Sequence, residues 1–152
     1  EDLSFGVIVY NAAAGHDLPT GIVELREMWV DLRVKDAKGK TLYRSGELDK
    51  NGEISDGTIR FGAIAGDKAG NKTYKPWEAT QFLFYRTVPP KGYAGDQVTT
   101  QIPRGTAGPI TVEAKLLYRS VPPHVVSEVL KDEAFTPKIV EMSTARATVT
   151  VE

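Results

Sequence analysis

Ile110-Thr111-Val112-Glu113-Ala114-Lys115-Leu116-Leu117-Tyr118-Arg119 alternates with a period of two. Ile110, Val112, Ala114, Leu116 and Tyr118 fall on one side, and Thr111, Glu113, Lys115, Leu117 and Arg119 on the other. Successive side chains of an extended chain point to opposite faces, so this run predicts a β-strand with one face in a core. The same pattern stands upstream, where Met28, Val30, Leu32 and Val34 face one way and Trp29, Asp31, Arg33 and Lys35 the other. Asp36-Ala37-Lys38-Gly39 is a turn, after which Thr41 to Arg44 returns as a short strand, completing a hairpin.

Working outward, Phe5, Val7 and Val9 alternate with Gly6, Ile8 and Tyr10, apolar on both faces, which predicts a largely buried strand ending at Asn11. Residues 12 to 24 hold two glycines and a proline and read as a loop. Ser45 to Lys75 reads as an irregular middle, rich in Gly, Asp, Asn and Lys, with apolar islands at Ile59, Phe61 and Ile64. Thr80 to Tyr85, the alternating Val98, Thr100 and Ile102, and Ala145 to Val151 are further strands. Val88-Pro89-Pro90-Lys91-Gly92 is a corner, because consecutive prolines have no N–H for a ladder. One helix is predicted over Pro122 to Asp132, with prolines at its start and Val125, Val126, Val129 and Leu130 in one stripe. About seven short strands and one late helix predict an all-β fold, an antiparallel two-sheet sandwich, immunoglobulin-like in the loose sense. A small open barrel would carry the same periodicities.

The 152 residues suffice for a single domain over 1–152 and hardly for two cores. A net charge of −1 argues against a nucleic-acid groove or an anionic membrane surface. No segment approaches the roughly 20 apolar residues of a membrane span, and no basic stretch precedes an apolar run at the N-terminus. The chain begins almost directly in a strand and without a methionine, which predicts a piece of something longer. The absence of cysteine excludes disulfides, thiol nucleophiles, thiolate metal sites and covalent attachment of a c-type haem by this chain.

Two histidines limit any imidazole chemistry to two positions. His16 lies in Gly15-His16-Asp17-Leu18-Pro19-Thr20-Gly21, where the glycines permit unusual backbone angles and the proline stiffens the loop. Two readings stand side by side: His16 fastens the loop to the sandwich, or it offers a neutral imidazole as an axial ligand to a metal or haem held by another domain. His124, near the start of the helix, has no second ligand or orienting carboxylate at a recognisable spacing and reads as structural or exposed. Asp49 to Glu53 and Gly66 to Asn71 combine oxygen ligands with glycine but do not fit the EF-hand template, so turns are the better reading. No nucleophile elbow, phosphate loop or dinucleotide fingerprint occurs, and Ser45 or Ser120 forms no recognisable triad with His16. Trp29, Trp77, Tyr85 and Tyr118 could form a carbohydrate platform of the kind sandwich proteins carry, but core packing is the first reading for most of them. Trp29 and Arg26 are the candidate surface contacts, Trp29 because it faces away from Met28 and Val30.

The Gly15–Gly21 loop, followed by Leu25-Arg26-Glu27-Met28-Trp29-Val30, resembles the non-haem β domain of bacterial multihaem c-type cytochromes. The likeness continues through Asp36 to Gly46, Val88 to Gly92 and Leu116 to Pro122, in order and across nearly the whole chain. Gly15, His16, Pro19, Thr20 and Gly21 match the Gly-His-x-x-Pro-Thr-Gly loop. The resemblance implies a non-enzymatic accessory domain of an exported, periplasmic or extracellular electron-transfer protein. Such a domain packs on a haem-binding region of the same or another protein, with haem c in that neighbour and His16 as the residue that could reach its iron. The rival expectation is an extracellular adhesive or ligand-binding sandwich that recognises a glycan or protein through its loops and Trp29. An enzyme using His16 with Asp17 or Glu24 is a third.

Overall fold

The computed structural model describes residues 1–131 and 135–150. It is an all-β sandwich of two antiparallel sheets. In chain order the strands are β1 (Asp2–Tyr10), β2 (Glu27–Lys35), β3 (Thr41–Ser45), β4 (Arg60–Gly66), β5 (Gln81–Arg86), β6 (Tyr93–Gln101), β7 (Ile110–Arg119) and β8 (Val140–Val149). The smaller sheet is the pair β1–β6; the larger runs β5-β4-β2-β7-β8, with β3 also pairing with β2.

β2 is the centre of the molecule. β7 pairs along its whole length, while β4 takes the first part, Glu27 to Trp29, and β3 the last, Leu32 to Lys35. Met28, Val30, Leu32 and Val34 meet Ile110 and Val112 of β7, Leu3 and Val7 of β1, and Phe61 and Val88 in one core. Burying side chains of this size stabilises the fold by about 1.5–3 kcal/mol each, which is why the alternation in β2 and β7 is decisive.

Four expectations need correction. β1 is not buried on both faces: Leu3 and Val7 are in the core, but Ile8 is 65% and Tyr10 60% exposed. A two-stranded sheet is an outer layer with only one side against the rest, so period-two apolar residues on both faces do not guarantee burial on both. The middle is not irregular throughout, because β4 lies within it. Gly62 breaks the hydrophobic pattern there, and the fold requires it: its φ is +142°, and a Cβ would lie 2.9 Å from the Arg26 carbonyl oxygen. β6 and β8 begin earlier than expected, at Tyr93 and Val140. The helix is a single α turn, α1 (Pro123–Val125), running into a π-helical turn over Val126–Leu130, and Lys131 follows in the left-handed region at φ +53°. Val125 and Val126 are buried, but Val129 is exposed, so the predicted stripe is only partly apolar packing. Asp132 and Val151, the expected ends of helix and last strand, lie outside the described residues.

Candidate functional site

The Gly15–Gly21 loop is fastened on both sides of its histidine. Asn11, buried at the end of β1, donates its backbone N–H to Gly92 O at 2.9 Å and its side-chain amide to His16 O at 2.8 Å and Val88 O at 3.3 Å. Its Oδ1 accepts from the Ala14 N–H at 3.0 Å. Leu18 and Val88 exchange both backbone hydrogen bonds, at 3.0 and 2.8 Å, and the Thr87 hydroxyl donates to Asp17 Oδ2 at 2.6 Å. Pro19 is buried; Gly15, Thr20 and Gly21 are exposed, with Gly21 in the left-handed region at φ +83°.

The His16 side chain projects from this fastened loop into solvent, with Nδ1 2.9 Å from the Asp17 carbonyl oxygen. A carbonyl only accepts, so Nδ1 carries the proton in this contact, and Nε2 of the neutral ring is left with its lone pair. That is the arrangement in which a metal-ligating histidine is held by its other nitrogen. Asp17 is turned toward Thr87, and Glu24 sits in a 3-10 turn (Val23–Leu25); among the described residues neither carboxylate bonds the His16 ring.

Trp29 is not a surface contact. It is 0% exposed, its indole N–H donates to Gly46 O at 3.2 Å, and the Arg119 guanidinium lies 5.4 Å from its ring centroid. At Trp29 the second face of β2 is covered by the 46–59 segment, which the period-two pattern could not reveal. Arg26 is half-buried and donates through Nη1 to Ser120 O. Core packing fails instead for Trp77, 76% exposed, and for Tyr85, 55% exposed.

The other histidine is structural, one of the two alternatives expected, and its carboxylate partner comes from a distant part of the chain. His124 Nδ1 hydrogen-bonds to Glu53 Oε1, and its ring centroid is 4.0 Å from that of Tyr74. They line a cleft of about 1250 Å³ that also reaches Lys72, Arg119 and Glu27. Burial, and then the negative charge of Glu53, push the Tyr74 phenol well above its usual range. His124 Nε2 and Arg119 Nη2 are buried without a hydrogen-bond partner among the described residues. Sequence spacing had no means of joining Glu53 to His124, 71 positions apart.

Asp49 and Asp67 are turn residues, as expected. Asp49 Oδ1 accepts from Asn51 N–H at 2.8 Å and Glu53 N–H at 2.9 Å, and Asp67 Oδ1 accepts from Ala69 and Asn71 N–H, both at 2.8 Å. No cluster of three His, Asp or Glu side chains able to hold a metal occurs among the described residues.

No family model matches the chain, and no curated protein does. Among solved structures, the fold is similar to that in the crystal structure of a penta-heme cytochrome c552 from Thermochromatium tepidum, with a TM-score of 0.70 and 21% identity. The likeness is one of fold. It covers 98% of this chain and 36% of the cytochrome's, so this chain spans about a third of that protein's length.

Proposed function

We propose that this chain is an accessory, non-catalytic β domain of an exported multihaem c-type cytochrome, and that it packs against the haem region and presents His16 to one haem iron. The observation that carries the reading is the His16 loop: a rigidly fastened backbone, an exposed ring, and Nδ1 engaged so that Nε2 faces outward. The fold shared with a penta-heme cytochrome supports it. The donor set fits a haem anchored elsewhere, because this chain has an available imidazole and no cysteine to hold the macrocycle covalently.

Iron in such a site would supply electron transfer. The contribution of this chain would be to place the imidazole, exclude water from the haem edge and lower the local dielectric, all of which tune a reduction potential. The test is the intact mass and visible spectrum, oxidised and reduced, of the native product from which these residues come, with and without His16→Met. Sharp reduced c-type bands, a mass well above 16.6 kDa and one haem potential moved by His16→Met are expected. A colourless product of about this mass, or haem spectra and potentials indifferent to His16→Met, would overturn the reading.

A further inference from the structure

The cleft beside His124 and Tyr74 holds cations that its inner carboxylates do not fully neutralise. Arg119 and Arg60 converge on a single carboxylate, Glu27, at 2.5 and 3.6 Å. Glu53 is taken up by His124. Lys72 has no carboxylate within ion-pair distance among the described residues, and its ammonium lies 4.8 Å from the Tyr74 ring centroid. Desolvation in the cleft lowers the Lys72 pKa; Glu53 opposes that shift, and the neighbouring Arg60 adds to it. Lys50, Asp56 and Glu128 also border the cleft, but they are exposed at its rim, where water and salt screen them.

The same place is short of hydrogen-bond acceptors. Arg119 is 2% exposed and uses Nε on Glu27 and Nη1 on the Gly52 carbonyl, which leaves Nη2 buried without a partner among the described residues. His124 Nε2 is buried and unpartnered as well. A buried donor left without an acceptor is costly, and a charged one more so.

We propose that this cleft binds a small molecule through an oxyanion, a carboxylate or phosphate group, held by Lys72, Arg60 and the Nη2 of Arg119. Such a group brings negative charge and acceptors only, the two things these side chains lack. A cationic ligand would meet like charge, and a neutral hydroxyl would leave the charge uncompensated. Lys72 and Arg60 meet the group first; Nη2, with no exposed surface of its own, is engaged as the side chains over it give way. None of these residues belongs to the His16 loop, so the proposal stands whether or not His16 reaches an iron.

Trp29 reports the event, because the Arg119 guanidinium lies 5.4 Å from its ring centroid. The 152-residue chain carrying Trp77→Phe, in which Trp29 is the sole tryptophan, is titrated at constant ionic strength with inorganic phosphate and, separately, with succinate. Two-dimensional proton–nitrogen spectra follow the Arg119 Nε–H in parallel. A saturable change in Trp29 emission and a shift of the Arg119 resonance are expected. Lys72→Gln should weaken binding about tenfold. Lys38→Gln, an exposed lysine in the β2–β3 turn, should leave it unchanged. A response to phosphate alone assigns a phosphate ligand, one to succinate alone a carboxylate, and one to both the shared oxyanion chemistry. No saturable response of either signal to either anion at tens of millimolar would overturn the proposal. So would binding that Lys72→Gln leaves intact, or that Lys38→Gln weakens as much.

Discussion

Glu27 on β2 and Arg119 on β7 form an ion pair of 2.5 Å between Oε2 and Nε, with side chains only 7% and 2% exposed. The residues are register partners, and the pair lies beside the buried Trp29, with the Arg119 guanidinium 5.4 Å from its ring centroid. Arg60 approaches Glu27 at 3.6 Å, and Arg119 Nη1 donates to Gly52 O at 2.6 Å, so one arginine fastens the 46–59 segment to the sheet. Removing one partner strands the other charge away from water. Glu27→Leu or Arg119→Met alone should each cost about 3–5 kcal/mol in urea unfolding, and the double variant distinctly less than either single change.

Trp29 and Trp77 should report separately in fluorescence. With one ring fully buried and the other 76% exposed, acrylamide should quench Trp77 strongly and leave a blue-shifted, protected component. Trp29→Phe should remove that component, while Trp77→Phe should leave only it. A protein whose whole emission is quenched uniformly would contradict the burial of Trp29.

The His16 ring should be the Nδ1–H tautomer when neutral, because its Nδ1 faces the Asp17 carbonyl. Long-range proton–nitrogen correlation spectra distinguish the two ring nitrogens. An Nε2–H tautomer would remove the basis for an outward ligand nitrogen.

Asp67 should titrate below the ordinary aspartate range, because backbone N–H groups, Asn71 first, bond its carboxylate in the turn. Its pKa is lower folded than unfolded, so its contribution is fully present above the ordinary aspartate value. That contribution is lost as pH falls through the lower folded value. Carboxyl-detected NMR titration checks the direction, and Asp67→Ala should remove the contribution by freeing the amides of Ala69 and Asn71.

Gly62→Ala should destabilise by more than the roughly 1 kcal/mol range of an ordinary backbone change. The positive φ opposes any L side chain, and the new methyl would press on the Arg26 carbonyl. Thermal or urea unfolding measures the loss; an unchanged midpoint would mean that β4 passes Arg26 differently.

The strands of the core were legible because their periodicity is itself a consequence of burial: β2 and β7 alternate over nine and ten residues. β4 was hidden because Arg60–Gly66 carries glycines that the fold needs for close approach, and those same glycines erase a strand pattern. The His16 loop was visible as a motif, since its glycines, proline and histidine are contiguous. Its fastening was not, because Asn11, Thr87 and Val88 come from elsewhere in the chain.

By itself the sequence determined the all-β class, the central strands, the impossibility of covalent haem attachment, and the loop that offers an imidazole. These follow from local alternation, composition and contiguous residues, which chain order records. The tertiary structure alone decided that Trp29 is inside, that Glu53 meets His124, that Glu27 meets Arg119, and that Tyr10 pairs with Tyr93. Each of those depends on which strands become neighbours and which sheet lies outermost, and strand pairing across dozens of residues is set by the packing of the whole core.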